Sequence, residues 1–108
     1  MKELDETKIQ EMQILEQRLQ NSMMQRQSFE MELAETNSAL EEIKKSGDEV
    51  FKIIGQLMIK SEKSKINEEL LNKLKILELR IKAFEKQEVS LSEQLERLRG
   101  EITKSMHK

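Results

Sequence analysis

The chain has 108 residues, 37% charged and only 3% aromatic, with no Pro, Cys or Trp. That length bounds it to one structural unit, and a charge-rich, aromatic-poor composition belongs to long helices or coiled coil rather than to a compact globular domain. Lys and Arg number 19 against 21 Asp and Glu, which gives no concentrated basic face for nucleic acid. The lack of cysteine excludes a disulfide framework or thiolate metal site and fits a reducing interior. The first residues, Met1-Lys2-Glu3-Leu4-Asp5-Glu6, lack the apolar core of a signal peptide. No apolar run approaches the roughly 20 residues that span a bilayer. The expectation is a cytoplasmic protein with no membrane partner.

The first predicted element is a helix over 1–46. Stepping by alternating threes and fours from Met12 reaches Leu15, Leu19, Ser22, Arg26, Phe29, Leu33, Thr36, Leu40 and Ile43, apolar at all but Ser22, Arg26 and Thr36. This is a heptad seam, whose a and d positions face a partner helix. Lys44 and Lys45 suit the negative end of the helix dipole, and Gly47 is placed to close the helix in the left-handed conformation.

The second element is a β-hairpin over 50–60. Val50-Phe51-Lys52-Ile53-Ile54-Gly55-Gln56-Leu57-Met58-Ile59-Lys60 is the most β-branched stretch, and Gly55 divides it. A type II′ turn with Gly55 at its first central position pairs Ile54 with Leu57. Phe51, Ile53 and Met58 then lie on one face, with Val50, Ile54, Leu57 and Ile59 on the other. Both faces are apolar and both edges carry unpaired N–H and C=O groups, so the hairpin calls for further strands to complete it.

The third element is a helix over 62–107, with Ser61 or Ser64 as its expected N-cap and Glu68 and Glu69 in its early turns. Its seam runs Leu70, Leu74, Leu77, Ile81, Phe84, Glu88, Leu91, Leu95, Leu98 and Ile102, apolar at all but Glu88. Each helix of some 45 residues would span roughly 65–70 Å at about 1.5 Å rise per residue.

Helices joined by a hairpin turn run antiparallel. A register that sets Phe29 against Phe84 also sets Leu33 against Ile81, Leu19 against Leu95 and Leu15 against Leu98. It places Arg26 opposite Glu88, so the only charged residues of the two seams fall in one layer. One charge alone in a seam is costly, and the pair is expected to help fix register.

The fold class expected is therefore mainly α: a long antiparallel two-helix coiled coil with a central β-hairpin that joins an intersubunit β-barrel, all one unit over 1–108. Met12, Leu98 and Ile102 are placed to close the last seam layers. Leu4, Ile9, Ile14 and Met106 lie off the seam or beyond it near the free ends. Met23, Met24 and Met31 are expected to pack along the flank of the coiled coil, broadening its apolar stripe. His107, the single histidine, has no partner set for a catalytic or metal role. Three glycines leave no phosphate-cradling loop, and neither an enzyme activity nor a cofactor is expected.

The run from Asp48 to Lys60, with heptads on both sides, resembles the β class of prefoldin subunits. The segment Leu77-Glu78-Leu79-Arg80-Ile81-Lys82-Ala83-Phe84-Glu85-Lys86-Gln87-Glu88 looks like that family's second helix. The single hairpin resembles the β class and not the α class, archaeal or eukaryotic, and the short tails lean archaeal. The resemblance implies a hexamer of two α and four β subunits, built on a double β-barrel with coiled-coil arms. It implies an ATP-independent holdase that captures unfolded client proteins at the arm tips and passes them to a group II chaperonin. The tip residues here would be Leu4, Ile9, Met12, Ile14, Ile102 and Met106. Val50, Phe51, Ile53, Ile54, Gly55, Leu57, Met58 and Ile59 would form the assembly hairpin. The alternative is a structural coiled-coil adaptor or scaffold subunit of a prefoldin-like complex.

Overall fold

The computed structural model describes the backbone of residues 2–106 and the side chains of residues 6–106. Its elements follow in the order α1 (Lys2–Lys45), β1 (Glu49–Ile54), β2 (Leu57–Glu62) and α2 (Lys63–Met106). Each helix is 44 residues long, and no cis peptide bond occurs among the described residues. His107 and the side chain of Leu4 lie outside the described residues.

The chain divides into two compact units, each drawing on both halves of the sequence. The hairpin unit is Ser28–Ile81; the terminal unit comprises the described parts of Met1–Gln27 and Lys82–Lys108. In each, a stretch of α1 runs antiparallel to a stretch of α2. The hairpin unit shows it in a guanidinium-to-ring contact of Arg80 over Phe29, 5.4 Å from the centroid, and in an ion pair of Glu32 with Lys73 at 3.3 Å. The terminal unit shows it in Glu16 with Arg99 at 3.5 Å and Lys8 with Glu101 at 3.5 Å.

Both cores are built from the predicted seam. Leu40, Ile43, Leu77 and Ile81 are the buried apolar side chains of the hairpin unit; Leu91, Leu95, Leu98 and Ile102 are those of the terminal unit. Two polar seam positions are buried with them. Thr36 donates its hydroxyl to the Glu32 carbonyl at 2.8 Å, which satisfies it within its own helix. Ser22 lies 3.5 Å from Gln87 Oε1 on the facing helix.

Helix α1 stops by a different device from the one expected. Gly47 is not left-handed, since Gly55 is the one glycine with positive φ. Ser46 performs the closure instead: its N–H donates to the Glu42 carbonyl at 3.1 Å and its hydroxyl to the Ile43 carbonyl at 2.8 Å. Lys63 then donates its ammonium to the Ser46 carbonyl at 2.8 Å. These bonds satisfy carbonyls that a helix end otherwise leaves open, so no left-handed residue is required.

The two strands pair antiparallel from Glu49↔Glu62 to Ile54↔Leu57. They extend past the expected 50–60 at both ends and leave no loop before α2. Neither Ser61 nor Ser64 caps that helix, because Ser61 is consumed by the strand and Ser64 already lies inside the helix. At the turn, Gly55 has φ 59°, and among the described residues no other has positive φ. A single positive φ at the first central position defines the type II′ geometry. Any residue with a Cβ pays about 1–2 kcal/mol there, although the space around Gly55 is open.

Candidate functional site

The hairpin places its side chains as its register requires. Ile53 pairs with Met58 and shares a face with Phe51; Ile54 pairs with Leu57 and shares the other face with Val50 and Ile59. Phe51, Ile53, Ile54, Leu57, Met58 and Ile59 are all exposed, Ile53 reaching 70% and Met58 68%; Val50 is half-buried. Scattered exposed apolar residues are ordinary, but six large ones on eleven consecutive residues, on both faces of a two-stranded sheet, form a surface awaiting cover. Two isolated strands are also marginal on their own. The Lys52 ammonium holds the Glu69 carboxylate of α2 at 2.9 Å, which ties the hairpin to its helix. An open groove of about 720 Å³ runs between β1 and the helices, lined in part by Ile43, Val50, Phe51, Ile53, Ile66 and Leu70.

The terminal unit holds the residues predicted for the tips. Ile102 is buried in its core and Met12 is half-buried, so both act as seam residues. Ile9, Ile14 and Met106 are exposed, Met106 at 75%. The apolar surface presented near the two chain ends therefore comes from these three among the described side chains.

Arg26 and Glu88 meet at 2.7 Å between Nε and a carboxylate oxygen. Their side chains are only 22% and 14% exposed, so the contact is a charge-assisted hydrogen bond largely withdrawn from water. Phe29, half-buried, lies under Arg80 in the hairpin unit; Phe84, also half-buried, belongs to the terminal unit.

The methionines correct one expectation. Met24 and Met31 are exposed at 63% and 67% and Met23 at 38%, so they do not broaden the seam. Met24 stands two residues from seam positions on either side, as does Met31, and on a 3.6-residue helix that spacing points away from the partner. Helical phase, not apolar character, decides which of these side chains reach the seam.

Among the described residues there is no group of three or more His, Cys, Asp or Glu side chains that could hold a metal ion. Among the same residues, no helix is long and apolar enough to cross a membrane.

Comparison with known proteins gives a consistent result. Residues 6–108 match the family described as "Prefoldin subunit". The chain is 42% identical over 89 residues to the prefoldin subunit beta of Thermococcus onnurineus, covering 81% of this chain and 77% of that one. It is 35% identical over 98 residues to the prefoldin subunit beta of Saccharolobus islandicus, covering 89% of this chain and 78% of the relative. Among solved structures it is similar to the prefoldin beta subunit from Thermococcus strain KS-1, with a TM-score of 0.89 at 33% identity over 97% of this chain and 94% of the other.

Proposed function

Because this chain belongs to the prefoldin family, with its similarity falling on the β subunits, we propose that it is one arm of a hetero-oligomeric chaperone that holds unfolded proteins without ATP. The observation that carries the reading is the hairpin, whose two apolar faces are exposed in the single chain. Such a surface is used up by assembly, which leaves the helices free to act as arms. Hairpins of α-class and further β subunits, in an α2β4-type hexamer, would complete a β-barrel on the edges and faces described above.

Clients would be held at the chain-terminal ends of the arms. Ile9, Ile14 and Met106 are exposed there, and Leu4 joins them from the sequence. Each contact is weak and adaptable, Met most of all. Linked arms convert several weak contacts into a strong one through effective concentration, and weak single contacts allow a group II chaperonin to take the client over. No step in this scheme needs a catalytic group or a cofactor.

The test is a variant with Leu4, Ile9, Ile14 and Met106 all replaced by serine, assembled with its α-class partner and assayed for suppression of client aggregation. The expected result is an unchanged complex mass with protection weakened about tenfold or more, equivalent to about 1.4 kcal/mol or more of lost contact. Undiminished protection would refute client contact by this group. A wild-type complex that assembles but protects no client would favour the adaptor or scaffold reading instead.

A further inference from the structure

The apolar seam of α1 is interrupted at the lone Thr36 of the hairpin unit and again over Ser22 and Arg26, and this second interruption faces the one on α2, at Glu88. On α1 no apolar seam residue occurs between Leu19 and Phe29, a stretch of roughly 15 Å at about 1.5 Å rise per residue. On α2 none occurs between Phe84 and Leu91. The gaps are filled by Ser22 near Gln87 at 3.5 Å and by Arg26 on Glu88 at 2.7 Å. This layer lies wholly within the terminal unit, which ends on α1 at Gln27.

A helix pair that opens from its free end must stop somewhere, and where it stops depends on what is uncovered at the boundary. Ending at an apolar layer leaves half-covered leucines against water. Ending at a polar layer leaves a guanidinium, a carboxylate, an amide and a hydroxyl, all of which water satisfies. The boundary is therefore cheapest at the polar layer. Beyond it, Leu91, Leu95, Leu98 and Ile102 form an uninterrupted buried run.

We propose that the Ser22–Arg26–Gln87–Glu88 layer is an opening point, at which the helix pair on its chain-terminal side separates as one cooperative unit while the hairpin unit stays closed. Opening would uncover the four buried side chains of the terminal core and so add apolar surface that the closed form hides. The device rests on the seam and stands whether or not the protein holds clients.

The experiment is amide hydrogen exchange on the assembled full-length protein, with wild type, R26L/E88L and R26Q/E88Q compared. In wild type, amides of residues 9–21 and 91–103 are expected to share one protection level, about tenfold or more below that of residues 30–44 and 66–80. R26L/E88L, which makes the seam apolar throughout, should bring the two levels together. R26Q/E88Q, which keeps the layer polar without charge, should leave them apart. A smooth gradient of protection from the chain ends in wild type, or two levels that persist unchanged in R26L/E88L, would overturn the proposal. Circular dichroism on the same samples verifies that helix content is preserved.

Discussion

Replacing Ile53 by Lys and Met58 by Glu together should abolish assembly while leaving the chain helical. These residues are cross-strand partners on one hairpin face and are 70% and 68% exposed in the single chain. An opposite-charge pair in those positions supports the hairpin itself, because directly opposed Lys and Glu attract across two strands. The same charges are intolerable once another sheet covers that face. Each chain would lose the burial of two large apolar side chains, roughly 3–6 kcal/mol, at about 1.5–3 kcal/mol apiece. That corresponds to about two to four orders of magnitude in association for each contact made. Light scattering should return the mass of free chains, far-UV circular dichroism should return the wild-type helix signal, and client protection should vanish with the multivalency that supports it. Retention of the wild-type mass would show that assembly does not run through this face.

A second large effect is expected from breaking the charged layer one residue at a time. Arg26→Leu leaves the Glu88 carboxylate in a seam where its side chain is 14% exposed, without the guanidinium that meets it at 2.7 Å. Removing one partner of a buried pair costs about 3–5 kcal/mol, and the partial exposure here reduces that to about 2 kcal/mol by solvent screening. For a domain of this size the change lowers the melting temperature by about 10 °C. The double variant R26L/E88L should recover most of the loss, since an apolar pair of similar volume removes both desolvation penalties. A thermal-melt cycle over wild type, both single leucine variants and the double reads the coupling, expected at about 3 kcal/mol if each single variant loses about 2 kcal/mol and the double recovers most of it. Additive effects would mean that the two side chains meet without fixing the register.

Much of this architecture was readable from spacing alone, for identifiable reasons. Leu40, Ile43, Leu77, Ile81, Leu91, Leu95, Leu98 and Ile102 all belong to the predicted seams and all are buried, because a sustained 3-4 repeat admits one burial face. The hairpin register followed from Gly55, the residue type that a type II′ turn demands at its first central position. The seam register that sets Leu19 against Leu95 also puts Arg26 and Glu88 in one layer, and their side chains are in contact. What escaped was set by local competition between hydrogen-bonding groups. Gly47 carries the usual mark of a helix end, yet Ser46 and Lys63 supply the closing bonds first. Ser61 and Ser64 carry the mark of an N-cap, yet strand pairing continues to Glu62 and the helix begins at Lys63. Met24 and Met31 are apolar by composition and outward by phase, and phase decided their exposure. The exposed apolar surfaces on the hairpin and at Ile9, Ile14 and Met106 are legible as apolar residues that the seam does not use.

The central claim is that the hairpin makes this chain incomplete alone and joins it to others of its class. The most direct measurement is the absolute mass in solution of the purified chain, with and without an α-class partner, by light scattering. The account predicts a single discrete species of several chains when the partner is present, with both subunits in it. A chain that remains monomeric in both samples would contradict it.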